Sequence, residues 1–274
     1  MDNKEVMDMR EYLKKYVNVY SFACLKSGLP CNEESLNETI GNAEIEFTYN
    51  EKSTGTFAVT TKSIGINKYN YDKNGQARNE FLLLHEFTHL CSGINKELYT
   101  DQMKFYEGLC ERAKSVDGEY IDGYTAYFGI AALDEVLAQW TCEELNDTLR
   151  GVKRESEIYK KGPLGSKITF GTSFTGSGIY DIYSPLEEIS INFLKSIGYK
   201  DMKDFATKIL SSDKGIGELS DESFKKLCYL GVVCRAIYEE EKFVNSETMT
   251  KEDVEKAYSL LSELTPSSNG LNIW

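Results

Sequence analysis

Histidine is almost missing from this chain: 274 residues contain two. That scarcity excludes any metal site built from three histidines. The seven cysteines (Cys24, Cys31, Cys91, Cys110, Cys142, Cys228 and Cys234) include no Cys-x-x-Cys pair. An odd number without that spacing argues against both a disulfide framework and a thiolate zinc cage. Most of these thiols are expected to be small buried hydrophobes in a reducing compartment. No run of some ~18 apolar residues occurs, so no membrane span is expected. The N-terminus, Met1-Asp2-Asn3-Lys4-Glu5, has no apolar signal core. The expected compartment is therefore the cytoplasm, or the cell exterior if a leader has been removed. Positive charge is in deficit, with 31 Lys and Arg against 44 Asp and Glu, for a net charge of −13. No basic stripe is present to meet a phosphate backbone, so no nucleic-acid partner is expected. No internal repeat or low-complexity tract appears.

What is present is concentrated. Both histidines lie in one stretch, His85-Glu86-Phe87-Thr88-His89, which reads His-Glu-x-x-His. On a helix, residues four apart share one face, one turn above the other. Two imidazoles so placed can converge on one Zn²⁺. Glu86 is offset by about 100° around the helix, where its carboxylate reaches a water at the metal without ligating. The segment from Gln76 to Gly93 has helical character. Asn74-Gly75 breaks the chain before it, and Gly93 stands where a helix-ending glycine belongs. Leu83, Leu84, Phe87, Leu90 and Cys91 recur at helical spacing and predict a core-facing stripe.

A catalytic zinc needs a third protein ligand and an open fourth position. With no further histidine, that ligand is a carboxylate or a thiolate. The best candidate lies in a second apolar helix around Leu133-Asp134-Glu135-Val136-Leu137-Ala138-Gln139-Trp140. A carboxylate buried there is costly unless paired or metal-bound. Glu135 is the first choice and Asp134 the runner-up. Gln139, one turn further, is placed to hydrogen-bond a ligand.

The pattern His85-Glu86-x-x-His89, followed by Asp134-Glu135-x-x-Ala138-Gln139, resembles the gluzincins. These metallopeptidases hold zinc on two histidines and a glutamate; thermolysin and the M1 aminopeptidases are members. The resemblance implies that His85, His89 and Glu135 bind Zn²⁺ and that Glu86 is the general base. Thermolysin-like sequences carry an aspartate four residues after the glutamate ligand, where this chain has Gln139. They also use a histidine as hydrogen-bond donor to the transition state, and none is left here. Upstream, Ala43–Tyr49, Thr56–Thr60 and Ser63–Asn67 read as short strands. In gluzincins a small sheet precedes the zinc helix, and its edge strand binds extended substrate. Thr56–Thr60 is similar in position, which implies that Phe57 and Ala58 line the substrate. Related enzymes often add a tyrosine after the glutamate ligand to stabilise the oxyanion. Tyr180 is the candidate, with Tyr183 as an alternative and ordinary packing as the default. The resemblance covers roughly residues 43 to 145.

The remainder reads as helix: residues 4 to 27, near 96 to 115, 184 to 197, 201 to 211, 220 to 243 and 250 to 264. The Gly-, Ser- and Thr-rich stretch 150 to 183 is the best boundary. The expected fold is α+β, with a small antiparallel sheet and a zinc-site helix pair in residues 1–150. A mainly helical C-terminal subdomain follows in 151–274, and the two can also form one continuous domain. The expected function is zinc-dependent hydrolysis of peptide (amide) bonds on a peptide or protein substrate. The alternatives are a metal-dependent amidase or esterase for small molecules, a zinc-binding regulatory module without turnover, and a helical interaction protein without metal.

Overall fold

The computed structural model of the chain describes residues 3–53, 55–60, 62–94, 96, 102–116, 123–151, 183–212, 215–216, 219–244 and 250–262. It is mostly helical, with one three-stranded sheet. Helix α1 spans Asn3–Ser27. Gly28 ends it with φ 70°, a left-handed backbone that costs glycine no steric clash. Gly28 N–H donates to Leu25 O at 3.3 Å and Leu29 N–H to Cys24 O at 2.9 Å, satisfying two of the last carbonyls. Helix α2, Glu33–Asn42, was not expected from the sequence. Its buried side chains are Leu36 and Ile40, too few to show a period. The Arg10 guanidinium of α1 holds its far end by donating to Ile40 O, Gly41 O and Ala43 O.

The strands are β1 (Glu44–Thr48), β2 (Phe57–Val59) and β3 (Ser63–Asn67), in spatial order β1-β3-β2. β2 and β3 pair antiparallel through a turn in which the Thr60 hydroxyl accepts from Lys62 N–H and Ser63 N–H. β1 and β3 pair parallel, with Ile45 beside Ile64 and Phe47 beside Ile66. The sheet is therefore mixed, and the expectation of an antiparallel sheet is corrected. Alternation of period two fixes which face a side chain takes, but not the direction of the neighbouring strand.

Helix α3, Lys68–Asn74, was also not expected. Its sequence is polar, and tertiary hydrogen bonds supply what hydrophobic spacing does not. Asn67 donates to Asn50 O and Gly55 O, Asn70 to Ser53 O and Gly55 O, and Asn74 to Thr56 Oγ1. These amides fasten the chain that leads into β2.

Helices α4 (Gln76–Cys91), α5 (Gln102–Val116) and α6 (Gly123–Leu149) follow. After them come α7 (Tyr183–Ser196), α8 (Met202–Leu210), α9 (Asp221–Val244) and α10 (Lys251–Ser262). The anticipated stripe of α4 is buried: Leu83, Leu84, Phe87, Leu90 and Cys91. α4 ends on Ser92 in extended backbone, not on Gly93, and Ser92 N–H donates to Thr88 O and His89 O. α6 packs against α1, α4, α5, α7, α8 and α9. One hydrophobic cluster joins Leu133, Val136 and Leu137 of α6 to Phe193, Phe224 and Leu227 from beyond residue 182. Among the described residues no helix is long and apolar enough to cross a membrane.

The α6–α9 crossing is tight. A Cβ on Gly231 would sit 1.7 Å from Thr125 O, and one on Gly129 would sit 2.5 Å from Leu227 O. Backbone on both sides cannot yield without separating the helices. Gly231→Ala is expected to destabilise the chain by about 3 kcal/mol, the upper range for overpacking. Gly108→Ala on α5, where no atom lies within 4 Å, is expected to stabilise by about 0.5–1 kcal/mol. Urea denaturation of the two variants reads the contrast; equal midpoints would refute the crossing geometry.

Candidate metal centre

The centre forms where the last turns of α4 meet the middle of α6. His85, Glu86 and His89 come from α4; Asp134 and Glu135 come from α6. His85 and His89 are buried, and the Glu135 carboxylate keeps 14% of its side-chain exposure. His85 Nε2 lies 3.1 Å from His89 Nε2. Glu135 Oε2 lies 3.4 Å from His85 Nε2 and 3.7 Å from His89 Nε2. The three residues form a group that can hold a metal ion.

The spacing tests that fit. A tetrahedral ion with donors at about 2.0–2.1 Å places those donors about 3.3–3.4 Å apart, close to the three separations observed here. The protonation pattern agrees with it. His89 Nδ1 is 2.7 Å from Asp134 Oδ2, a carboxylate oxygen that only accepts, so Nδ1 carries the proton. Once the ring has given up its other proton to bind a metal, the Nε2 lone pair points at the group. A divalent cation there would take the place of the proton that the rings otherwise share with Glu135.

Without a cation the same acids draw a proton onto the rings. Burial opposes charge on His89, but Asp134 and Glu135 outweigh it and raise the ring's pKa well above the usual value. Burial likewise opposes ionisation of Glu135. The charge of His89 and hydrogen bonds from both rings nevertheless hold that carboxyl well below the ordinary range. For Glu86 burial dominates and raises the pKa; His85 and His89 lower it in part, while Glu135 and Asp134 add to the rise. Glu86 thus holds a proton more readily than an exposed glutamate does.

Asp134 is not a ligand in this geometry, although it was the runner-up for that role. One carboxylate oxygen takes His89 and the other accepts from Ser92 Oγ at 2.6 Å. Ser92 Oγ in turn accepts from Ile94 N–H at 3.2 Å. The cap of α4 therefore anchors the acid that orients a candidate ligand on α4 itself. Nothing but a hydroxyl at a helix end singles out Ser92 in the sequence. The supporting acid stands one residue before Glu135, whereas thermolysin-like sequences carry theirs four residues after. At that later position the Gln139 amide donates to Glu143, one turn further along α6, so the expected bond from Gln139 to a ligand is replaced. His85 Nδ1 is buried and has no hydrogen-bond partner among the described residues.

Asp134→Asn is expected to weaken metal binding about 10–100-fold, because an amide can present its N–H₂ to His89 and favour the wrong tautomer. Competition with a chelator of known affinity measures it; unchanged affinity would remove Asp134 from the centre.

The other expected site residues are less gathered. Phe57 sits on β2 and is buried, its ring edge-on to Tyr71 at 6.0 Å between centroids. Ala58 is exposed on the same strand. β2 is an edge of the sheet and packs beside α4. Tyr180 lies outside the described residues. The chain matches no protein-family model, no curated protein and no solved structure.

Proposed function

We propose that this chain is a zinc-dependent hydrolase that cleaves peptide (amide) bonds. The observation that carries the reading is the convergence of His85 Nε2, His89 Nε2 and Glu135 Oε2, with a further acid, Glu86, adjoining them. Zn²⁺ bound there supplies Lewis acidity toward a carbonyl and lowers the pKa of water. His85, His89 and Glu135 would hold the ion and leave it accessible to a water or substrate. Glu86 takes the water proton onto a carboxylate oxygen and passes it to the leaving amine nitrogen. Asp134, itself held by Ser92, keeps the His89 proton on Nδ1 and the ring in place. By resemblance, Tyr180 donates to the developing oxyanion, and Phe57 and Ala58 line the substrate.

A second reading has one observation behind it. Both histidines of the chain sit in the metal group, so no histidine remains to donate to a transition state. A zinc-binding regulatory module without turnover is compatible with that. The deciding experiment combines elemental analysis of purified chain with profiling on a quenched-peptide library and a panel of small amides and esters. Bound zinc with peptide cleavage supports the proposal. Cleavage of the small amides or esters alone moves it to another amidohydrolase class. Stoichiometric zinc without turnover leaves the regulatory module, and a metal-free chain refutes both.

A further inference from the structure

The candidate metal centre is open along one strip of α4. From Phe81 to Cys91 only Leu82 and Glu86 are not buried, and on α6 from Phe128 to Glu143 only Glu135 is not. Leu82 precedes Glu86 by four residues, and half-buried Arg78 precedes Leu82 by four more. On a helix that spacing sets the three side chains one above another, and His85 and His89 share the same side. Eight residues at the helical rise place Arg78 about 12 Å along the axis from Glu86.

Among the described residues Arg78 makes no hydrogen bond, ion pair or ring contact, in a chain where acids outnumber bases by 44 to 31. Three other arginines are occupied. Arg10 donates to Ile40 O, Gly41 O and Ala43 O, Arg112 donates to Leu219 O, and Arg235 lies 4.5 Å from the centroid of the Tyr124 ring. Burial lowers the pKa of Arg78, and among the described residues no carboxylate opposes that shift. The guanidinium stays charged nonetheless. A charge that is partly desolvated and unpaired carries a cost that an anion offsets.

We propose that Arg78 binds a carboxylate of the substrate, roughly two to four residues from the bond that is cleaved, and so selects acidic peptides. The inference rests on the hydrolase reading and adds a substrate class to it. An extended chain rises about 3.3–3.6 Å per residue, so the 12 Å between Arg78 and Glu86 matches such a span once both side chains reach toward each other. The planar fork of arginine meets a carboxylate through two parallel N–H···O bonds. Leu82, between the two ends, offers apolar surface to the residue that bridges them. The strip is also divided in charge: Glu86, Asp134 and Glu135 gather at the centre, and the cation stands two turns away. A substrate carboxylate is thereby directed to the far end. Aspartate, glutamate and a free C-terminus all present the same group.

The test uses hexapeptide mixtures with glutamate or glutamine fixed at one position and the others randomised, each with a free and with an amidated C-terminus. Each mixture is equilibrated with immobilised, Zn²⁺-supplemented chain carrying Glu86→Gln, and retained peptides are counted by mass spectrometry. Turnover of the same mixtures by the chain without that substitution is followed in parallel. At one position glutamate, or the free C-terminus, is expected to be retained at least about tenfold over its neutral counterpart. Adding Arg78→Gln is expected to bring that preference within about twofold while retention of the neutral peptides holds. Arg78→Lys, which keeps the charge without the fork, is expected to keep only part of the preference. An internal glutamate maximum identifies a side chain as the source, and loss on amidation identifies the terminus. The inference is overturned if the unaltered strip shows no preference for the acid, if Arg78→Gln keeps the preference, or if acidic and neutral peptides weaken equally. The profiles with Arg78 and with Arg78→Lys decide the matter should Arg78→Gln not fold. An Arg78-dependent preference without turnover sinks the hydrolase reading alone, and turnover without that preference sinks this inference alone.

Discussion

Glu135→Ala is expected to lose bound Zn²⁺, with affinity falling more than the roughly 10–100-fold that follows loss of an outer-shell partner. The substitution removes the only anionic donor of the group and leaves two neutral imidazoles. Two nitrogens from α4 alone would hold the ion less tightly than three donors. Asp134 cannot substitute without releasing His89 and Ser92, both of which it already holds. Removing Asp134 therefore disturbs a ligand, whereas removing Glu135 deletes one. Equilibrium dialysis followed by elemental analysis compares the two variants with wild type. Full zinc content in Glu135→Ala would mean that the third donor lies elsewhere, and the assignment of this centre would fall.

Glu86→Gln is expected to reduce peptide turnover by about 10²–10⁴-fold, the usual contribution of a positioned proton-transfer group, while zinc content stays at the wild-type level. The amide keeps the volume of the acid but cannot hold the water proton. Glu86 adjoins His85 in sequence and does not belong to the three-donor group, so the metal has no reason to leave. The split between an intact centre and lost turnover separates a base from a ligand. A kcat/KM within tenfold of wild type, on a peptide taken from the library profile, would rule Glu86 out as the base.

Much of this centre is legible in the chain as written. The spacing of His85 and His89 fixes two donors on one helical face, because a 3.6-residue turn leaves no other arrangement. Leu83, Leu84 and Phe87 predict which side of that helix is buried, and the side is the one observed. The elements that were not legible have few hydrophobic contacts of their own. α2 buries Leu36 and Ile40, and α3 is held by asparagine amides reaching across to the chain before β2. Local pattern is silent where tertiary hydrogen bonds set the structure.

The choice between Asp134 and Glu135 marks the same division. Adjacent acids on one helix point about 100° apart, so sequence offers both to the partner helix, with Glu135 as first choice and Asp134 as runner-up. The packing of α6 on α4 turns Glu135 toward the two Nε2 atoms and Asp134 toward Nδ1 of His89 and the cap at Ser92. Sequence alone determined the chemistry available: two imidazoles one turn apart, an acid between them, and a pair of acids in a greasy helix downstream. Tertiary structure alone decided which acid joins the group, which one steadies a ring, and that the sheet is mixed. The reason is range. Helical period and residue type act within a turn or two, whereas the angle and register at which two helices meet depend on every side chain packed between them.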